Sequence, residues 1–559
     1  MRVADDAARD PLRAAFLGAF FAALVTLPGL GIGTLWDNSE TAYGEVAREI
    51  LISHDWLVMH FNGDAWFVQP PLYFWIAALF AKWFGISSFA MRLPSALATI
   101  AMGGAVGYAT ARITGTRSGI YAAIVLSTSL MQAIVGRLAI MDALLDLAIT
   151  AAVLWWFRAF EPQRIPGALD AKKRTLALIC GAAAVAFGML TKGPVAPVIV
   201  IMVVAAWLAW EWRVRSAIVV PRASAIAAAA LVMAAIALPW FAFLAARMGP
   251  GAVAELIGHY TIGRYTGVIE NQRGPFWYYL PVLILGFFPW IAFVPVALAR
   301  AWTAAQERDG ALARLAIVWT VLPLVFFSLA QTKLPNYIAL EFPALAILVA
   351  LWFDRISAGV DRRAALISAS VVPLTVGCIA FAIVLFGKDN HLALAAVAPQ
   401  LITLAVGMLV GSLATVAAIA VTRFRAWAPY VLAATSLILV LFIAFVAEPI
   451  AEPLKPIPHL AALIDIERKP TDTVAIRGVS GGNALTYYTS PGVKTIDADS
   501  VQSFVSVICP GGTAYVVTRQ SDVSDITAIA RKLGRTVTRI DASGRVDLIR
   551  VSGHDCPHD

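Results

Sequence analysis

Long apolar runs alternate with short polar loops along most of the chain, from Ala14 to Ala447. Runs of about 20 apolar residues are long enough, as helices, to cross a lipid bilayer. The pattern predicts about thirteen transmembrane helices, of which the first is expected at Ala14–Ile32 and the third at Ser118–Val135. Lys and Arg are concentrated in alternate loops, which places the N-terminus in the cytoplasm.

The first long polar interruption, Trp36–Trp75, follows the first apolar run and is expected on the outer face. Its pattern predicts an amphipathic helix at Glu40–Leu51, on which Glu45 and Arg48 pair, and a turn that Asp55 fixes. The next apolar run, Leu72–Phe84, is too short to cross the bilayer. We therefore predict an interfacial helix there, on the outer face.

The chain changes character near Pro453, after which short alternating runs replace the long apolar ones. DTVAIRG, AYVVTR and VDLIRV are typical of strands, and Ser524–Leu533 of a helix that Gly534 ends. The predicted fold is an all-α polytopic membrane protein with a small C-terminal α/β domain. The expected domains are residues 1–450, including a first periplasmic loop with juxtamembrane helices at 34–92, and a periplasmic domain at 451–559.

Composition agrees with a membrane protein, because 60% of the residues are hydrophobic and 14% are charged. These values exclude a disordered chain. The net charge of +8 is spread over short loops, so topology explains it better than nucleic-acid binding does. Cys509 and Cys556 could form a disulfide if the C-terminal domain lies outside the cytoplasm, and the cysteine spacing gives no support to a structural zinc site.

The predicted topology brings several polar residues to the outer face. Ionisable side chains at the edge of a membrane are costly, so each is a functional candidate, although a Lys or Arg near a helix end can simply snorkel to the interface. Asp142 differs because apolar residues flank it on both sides, whereas Asp146, one turn later, is expected to make a structural contact. These residues are Asp37, Glu40, Arg137, Asp142, Lys192, His259, Arg264, Gln272, Arg273, Lys333 and Tyr337.

Carboxylates and cations together at this face indicate a reaction class. A carboxylate can deprotonate an acceptor hydroxyl or amine, and cations can hold a phosphate leaving group. Aromatic side chains suit the faces of sugars, and grooves between helices suit a lipid tail. The combination predicts sugar transfer from a polyprenyl-phosphate donor.

Short motifs over residues 27–350 support this prediction. They are WDNSETAYGEVAREIL and HDWLV (Trp36–Val58), PPLYFW (Pro70–Trp75), MRLPSAL (Met91–Leu97), MDALL (Met141–Leu145), LTKGP (Leu190–Pro194), GRY (Gly263–Tyr265), GPFWYYLPVL (Gly274–Leu283) and KLPNY (Lys333–Tyr337). In this order they resemble the GT-C superfamily of glycosyltransferases, in particular its aminoarabinose transferase and protein mannosyltransferase branch. The resemblance implies a multi-pass protein of the bacterial inner membrane with a periplasmic active site. It also implies an inverting transfer from an undecaprenyl-phosphate sugar to an acceptor, with lipid A or lipopolysaccharide favoured over protein or another envelope glycan.

The resemblance also implies roles for individual residues. Asp37 is expected to activate the acceptor, with Glu40 as the alternative, and Asp142 matches the second carboxylate of the family. The donor phosphate is expected to contact Arg264 and Tyr337, with Lys192 and Lys333 nearby. Arg273 is either a further phosphate contact or an anchor for the neighbouring aromatic residues.

The chain departs from the family beside PPLYFW. Aminoarabinose transferases carry Glu-Lys there, the Lys for lipid phosphate and the Glu for a metal ion, whereas this chain has Val68-Gln69. Gln69 can hydrogen-bond phosphate but brings no charge. His259 without a carboxylate partner is a poor metal site. We therefore predict no cofactor; a divalent metal ion is the less favoured alternative.

Two other functions are compatible with parts of the sequence. A flippase for the same lipid-linked sugar would show internal repeats and polar residues on both faces, neither of which the sequence has. A binding module made of the C-terminal domain would not need thirteen spans as its anchor. That domain is more simply explained as a gate or as a recognition element for the acceptor.

Overall fold

The computed structural model describes residues 10–36, 39–163, 165, 167–269, 272–386, 394–479, 482–510, 512–554 and 556. They form two compact units. The first contains Met1–Leu30, Phe67–Tyr73 and Arg92–Val446, and the second contains Gly31–Trp66, Phe74–Met91 and Ala447–Asp559.

Helices make up nearly all regular structure before Ala447. In chain order they are Pro11–Thr26, Ser39–Ser53, Leu72–Phe84, Ser88–Thr114, Thr116–Thr128, Leu130–Val135, Asp142–Phe160, Ala171–Lys192, Val195–Arg213, Ala223–Met248, Pro250–Ala254, Glu255–Gly263, Arg264–Thr266, Tyr279–Gly286, Trp290–Phe293, Val294–Ala305, Ala311–Leu329, Pro335–Glu341, Phe342–Ser357, Arg362–Phe386, Leu394–Ala420, Thr422–Trp427, Ala428–Phe442 and Ile443–Ala447. The helices Glu255–Gly263 and Ile443–Ala447 are π-helical, and Trp290–Phe293, Pro335–Glu341 and Thr422–Trp427 are 3₁₀. A short antiparallel hairpin, made of the two-residue strands His60–Phe61 and Asp64–Ala65, lies between the second and third helices in the chain.

The all-α membrane architecture is confirmed, but the count of thirteen spans is not. Ten helices of the described residues are long and apolar enough to cross a membrane, and an eleventh span would be the pair Tyr279–Gly286 and Trp290–Ala305, which bends by 105°. Leu72–Phe84 is a helix with the predicted bounds. Its length of 13 residues sets it apart from the spans.

Two predicted spans differ from the structure. The first apolar helix ends at Thr26 and Leu27 caps it, because the next residue, Pro28, has no backbone N–H with which to continue the helical hydrogen bonds. Arg137 then donates to the carbonyls of Val25, Thr26 and Pro28 at 2.8–3.1 Å, which satisfies the end of that helix. The third span is broken at Ser129, whose backbone is extended (φ −70°, ψ 136°).

Glycines allow three helices of the first unit to approach closely. A Cβ on Gly18 would lie 2.6 Å from the carbonyl oxygen of Gly103. A Cβ on Gly107 would lie 2.6 Å from the carbonyl oxygen of Ala14, and one on Gly119 would lie 2.5 Å from that of Gly107. Between helices in lipid there is no hydrophobic driving force for association. Small residues at these crossings instead allow close backbone packing, which holds the helices together.

The second unit contains a five-stranded mixed sheet. Its order is Thr495–Asp497, Thr473–Arg477, Ala514–Arg519, Val546–Ser552, Thr536–Ser543; the first three strands are parallel and the last two pairings are antiparallel. Its helices are Glu448–Ala451, Glu452–Leu454, Pro456–Glu467, Gly482–Tyr488, Val501–Ile508, Gln520–Asp522 and Val523–Lys532. The three predicted strands and the helix before Gly534 are confirmed, and a disulfide joins Cys509 to Cys556.

Alternation along the strands builds a core on each face of this sheet. Val474 and Ile476 face one core, together with the helices Pro456–Glu467 and Gly482–Tyr488. Ala475, between them, faces the other core with Val501–Ile508 and Val523–Lys532. A sheet covered by helices on both faces is the expected solution for strands that are apolar on both sides.

Arg48 ties the helix Ser39–Ser53 to the C-terminal part of the same unit. Its buried guanidinium donates at 2.9 Å to the carbonyls of Thr486, Tyr487 and Thr489, and pairs with Glu45 at 2.6 Å. The predicted Glu45–Arg48 pair is therefore confirmed. The turn at Asp55 is confirmed as well, because its Oδ1 accepts from the backbone N–H groups of the second and third residues that follow it.

The stability of the second unit should depend on pH through Glu45. Burial raises the pKa of this carboxyl from 4.5 to about 7, although Arg48 opposes the shift. The folded state therefore prefers the protonated acid, and its stabilisation is complete below about pH 4.5 and is lost as the pH rises through 7. We expect the melting temperature of the purified full-length protein to fall between pH 5 and 7.5. Glu45→Gln should reduce this fall, whereas Asp525→Asn, at an exposed acid of the same unit, should leave it unchanged.

Candidate active site

Two antiparallel helices of the first unit bring Asp142 and Lys192 together. Asp142 is the first residue of the helix Asp142–Phe160, and Lys192 is the last residue of Ala171–Lys192. A carboxylate at a helix N-terminus and an ammonium at a C-terminus both complement the helix dipole. Lys192 Nζ donates to Asp142 Oδ1 at 2.6 Å, with both side chains mostly buried. Gly193, at φ +68°, ends the second helix and turns the chain.

Arg264 and Tyr337 extend this pair into a connected network. Lys192 Nζ lies 4.9 Å from the centroid of the Tyr337 ring, and Arg264 Nη1 donates to the Tyr337 hydroxyl at 3.4 Å. The Thr332 backbone N–H donates to the Arg264 carbonyl at 3.1 Å, which fixes the two loops against each other. Four residues that are far apart in sequence thus form one chain of contacts, Arg264–Tyr337–Lys192–Asp142.

The network lines a cavity of about 280 Å³ within the first unit. Aromatic rings form much of the wall: Tyr265 packs on Phe326, Phe326 on Phe327, and Phe327 on Tyr337, with centroid separations of 4.8, 5.1 and 5.3 Å. An apolar wall with a few convergent charged groups is the usual form of a small-molecule site.

Other polar residues line the same cavity. Gln69 is buried there, beside the cations that the sequence analysis assigned to phosphate. Asp146 lines it too, one turn after Asp142, and its Oδ2 has no hydrogen-bond partner in the described part of the chain. The sequence predicts only a structural contact for Asp146, although its four-residue spacing from Asp142 puts both carboxylates on one helix face. Thr261, Thr332 and Asn336 add further polar groups to this lining.

Lys333 and Arg273 do not line the cavity. Lys333 Nζ donates to the carbonyls of Phe327, Ser328 and Ala330 at 3.2, 2.7 and 2.7 Å, so it closes the end of the helix Ala311–Leu329. Burial lowers the pKa of Lys333. The side chain of Arg273 is exposed. The phosphate roles of these two residues stay predictions.

Of the two candidate carboxylates of the first polar loop, Glu40 is not among the residues that line this cavity. Glu40 belongs to the second unit, where its buried Oε2 accepts from the Trp36 backbone N–H at 2.8 Å. Asp37 lies outside the described residues. The choice between them as the acceptor-activating group stays a prediction.

The residues considered for a metal ion are not gathered. His259 is exposed and stacks edge-on against Tyr260, with ring centroids 4.8 Å apart. In the described ranges, no three His, Cys, Asp or Glu side chains come close enough to hold a metal ion together. Whether the reaction uses a metal ion is a separate question, and the sequence-based expectation of none stays a prediction.

The fold and the cavity are those of a polytopic membrane protein, and the chain resembles proteins of the GT-C class, as the sequence motifs implied. A family model described as dolichyl-phosphate-mannose-protein mannosyltransferase matches residues 68–240. The structure is similar to the crystal structure of ArnT from Cupriavidus metallidurans bound to undecaprenyl phosphate. The TM-score is 0.80 at 22% identity, over 96% of this chain and 97% of that one. This similarity confirms the fold, including the small C-terminal domain.

The curated relatives that the chain matches share one name with each other. An undecaprenyl phosphate-alpha-4-amino-4-deoxy-L-arabinose arabinosyl transferase of Erwinia tasmaniensis is 34% identical over 343 residues, which are 60% of this chain and 59% of the relative. That of Yersinia enterocolitica is 28% identical over 69% of this chain and 67% of its own length. The match thus spans about three fifths of the first of these relatives. Together the comparisons confirm the resemblance to GT-C proteins like ArnT. They also confirm the prediction of a multi-pass protein of the bacterial inner membrane.

Proposed function

We propose that the protein is an integral-membrane glycosyltransferase that moves a monosaccharide from an undecaprenyl-phosphate donor to an acceptor at the periplasmic face. The observation that carries the proposal is the Arg264–Tyr337–Lys192–Asp142 network in an apolar cavity. The names of the curated relatives, all transferases of an undecaprenyl-phosphate sugar, support it. By the same relationship, lipid A or another part of lipopolysaccharide is the favoured acceptor.

Cations and aromatic rings contact different parts of the donor. Arg264 offers a planar fork to phosphate oxygens, and Lys192 a compact point charge. Both would neutralise the charge that collects on the phosphate as it leaves. The aromatic wall of Phe326 and Phe327 suits the first isoprene units of the lipid.

The transfer is written as a single displacement. The acceptor hydroxyl gives its proton to a carboxylate, and its oxygen bonds to the anomeric carbon on the face opposite the phosphate. The bond between this carbon and the phosphate oxygen breaks, and its electron pair leaves with undecaprenyl phosphate. One displacement inverts the anomeric centre. Asp37, or alternatively Glu40, is the proposed base. Asp142 holds Lys192 in place and helps to orient the acceptor.

We further propose that transfer needs no metal ion. Gln69 stands where the resemblance places the phosphate-binding Lys, and Val68 stands where it places the metal-binding Glu. Lys192 and Arg264 instead neutralise the charge of the leaving group. We expect transfer by the purified protein to be unchanged in excess EDTA, and to gain nothing from added Mg²⁺, Mn²⁺ or Zn²⁺. Loss of activity in EDTA that one of these ions restores would contradict the proposal.

The function is tested by mass spectrometry of lipids from a deletion strain and its parent. Spheroplasts are first treated with an impermeant oxidant that destroys outward-facing sugars. We expect a polyprenyl-phosphate sugar to accumulate in the deletion strain, to be oxidised from outside, and one envelope glycoform to disappear. This result would also identify the donor and the acceptor. A donor that accumulates but stays protected inside would instead identify a flippase.

A further inference from the structure

A second, larger cavity lies wholly within the second unit. It is a cleft of about 960 Å³ beside the ends of two neighbouring strands, Ala514–Arg519 and Val546–Ser552, and the segment that contains Trp36 also lines it. Among the described residues, none of those assigned above to the donor, to acceptor activation or to phosphate lines this cleft. Its volume is of the size that holds a small ligand or the headgroup of a large one.

Two arginines stand side by side at the strand ends of this cleft. Arg519 is opposite Val546 in the sheet, and the Gln520 backbone N–H donates to the carbonyl of Arg545 at 3.0 Å. Both side chains are exposed, and neither guanidinium has a hydrogen-bond or ion-pair partner within the described ranges. By contrast, both terminal nitrogens of the buried Arg48 of the same unit have partners. Two neighbouring, unpaired guanidiniums are suited to phosphate, which they bind through paired N–H groups.

Much of the remaining wall of the cleft is apolar, although Lys455, Gln520 and Ser521 also line it. Leu454, Ile457 and Val479 contribute aliphatic surface, and the side chain of Leu454 is 76% exposed. Trp36 is 40% exposed, and its ring is fixed because Lys455 Nζ lies 3.9 Å from the ring centroid. Lys455 is itself held by Glu448 Oε1 at 2.7 Å. An exposed indole and aliphatic side chains suit a sugar face and the start of an acyl chain.

The cleft is connected to the predicted acceptor-activating segment. The Trp36 ring lines the cleft, while its backbone N–H is bound by the carboxylate of Glu40. Asp37 is the next residue in the sequence. A molecule held against Trp36 is therefore held beside the segment that carries both candidate bases.

We propose that this cleft binds the acceptor, a phosphorylated glycolipid, with its phosphate on Arg519 and Arg545 and its apolar part against Leu454 and Ile457. Charge complementarity selects this occupant: a neutral glycan would leave both guanidiniums unpaired, and an unphosphorylated lipid would do the same. The inference rests on the proposed function and deepens it by assigning the acceptor site to the second unit.

The test compares Arg519→Gln/Arg545→Gln with wild type in the purified full-length protein. Bisphosphoryl and monophosphoryl lipid A are the probes, and both binding and transfer from a defined donor are measured. We expect the double variant to raise the KM and the Kd for bisphosphoryl lipid A by about tenfold. The KM for the donor should stay unchanged. Arg531→Gln/Lys532→Gln removes the same charge at exposed positions outside the cleft lining and should change neither constant.

Each outcome separates the inference from the function on which it rests. Unchanged lipid A binding in the double variant would overturn the inference, even if transfer proceeds. A wild-type protein that binds lipid A but transfers no sugar from any lipid-linked donor would count against the proposed function while leaving the binding site standing. An equal loss in both double variants would show general attraction to an anionic surface and would also overturn the inference. Leu454→Asp, at an exposed position, should weaken lipid A binding with no change in melting temperature.

Discussion

Asp142→Asn is expected to reduce sugar transfer at least about a hundredfold while the protein still binds undecaprenyl phosphate. The substitution keeps the shape of the side chain but removes the charge that holds Lys192 Nζ at 2.6 Å. Lys192 remains available to a phosphate, so donor affinity should hold or increase. Transfer should fail because the cation is no longer fixed and the acceptor loses an orienting carboxylate.

The measurement is single-turnover transfer alongside equilibrium binding of undecaprenyl phosphate. Asp354→Asn is the matched control: it removes a carboxylate of the same unit that pairs with Arg117 at 2.7 Å, away from the cavity lining. The control should transfer normally. Full activity of Asp142→Asn, or a loss that appears equally in donor binding, would contradict the assignment.

Arg264→Ala is expected to weaken donor use by about ten- to a hundredfold, because a charge-assisted hydrogen bond contributes about 1.5–3 kcal/mol. The loss should appear mainly in the KM for the donor and in the Kd for undecaprenyl phosphate. Arg264→Lys should restore part of the affinity, since it returns the charge without the planar fork.

Two further arginines calibrate that result. Arg117→Ala removes an exposed cation that pairs with Asp354, and donor affinity should not change. Arg273→Ala decides between the two roles left open for this residue, because its side chain is exposed and outside the cavity lining. If Arg264→Ala leaves the dependence on donor concentration unchanged, Arg264 does not bind the phosphate.

The sequence allowed much of the first unit's cavity to be predicted, for a physical reason. Charged residues at helix ends in an apolar chain are rare and costly, so Asp142, Lys192 and Arg264 stood out individually. Alternation of spans then placed them on one side. In the structure Asp142, Lys192, Arg264, Tyr337 and Gln69 all line one cavity.

Other features were not visible because they depend on contacts between distant residues. The apolar run Ser118–Val135 gives no sign of a break at Ser129, where the next N–H, of Leu130, donates to the carbonyl of Phe288. The charge of Lys333 was evident from the sequence, but not that its three hydrogen bonds go to backbone carbonyls of the preceding helix end. The grouping of residues 31–66 with the C-terminal sheet was likewise hidden, since it is made through pairs such as Arg48 with Tyr487, 439 residues apart.

That last contact has a consequence for biogenesis. The ribosome produces Arg48 early, but the carbonyls that satisfy its guanidinium emerge 438 to 441 residues later. Until then the helix Ser39–Ser53 lacks the surface that buries it, and the first loop of the nascent chain stays incompletely folded. A stop codon or frameshift near the 3′ end of the reading frame would therefore also prevent the folding of this early segment. C-terminal truncation should expose the loop of the predicted bases to proteases while the helical spans are already inserted.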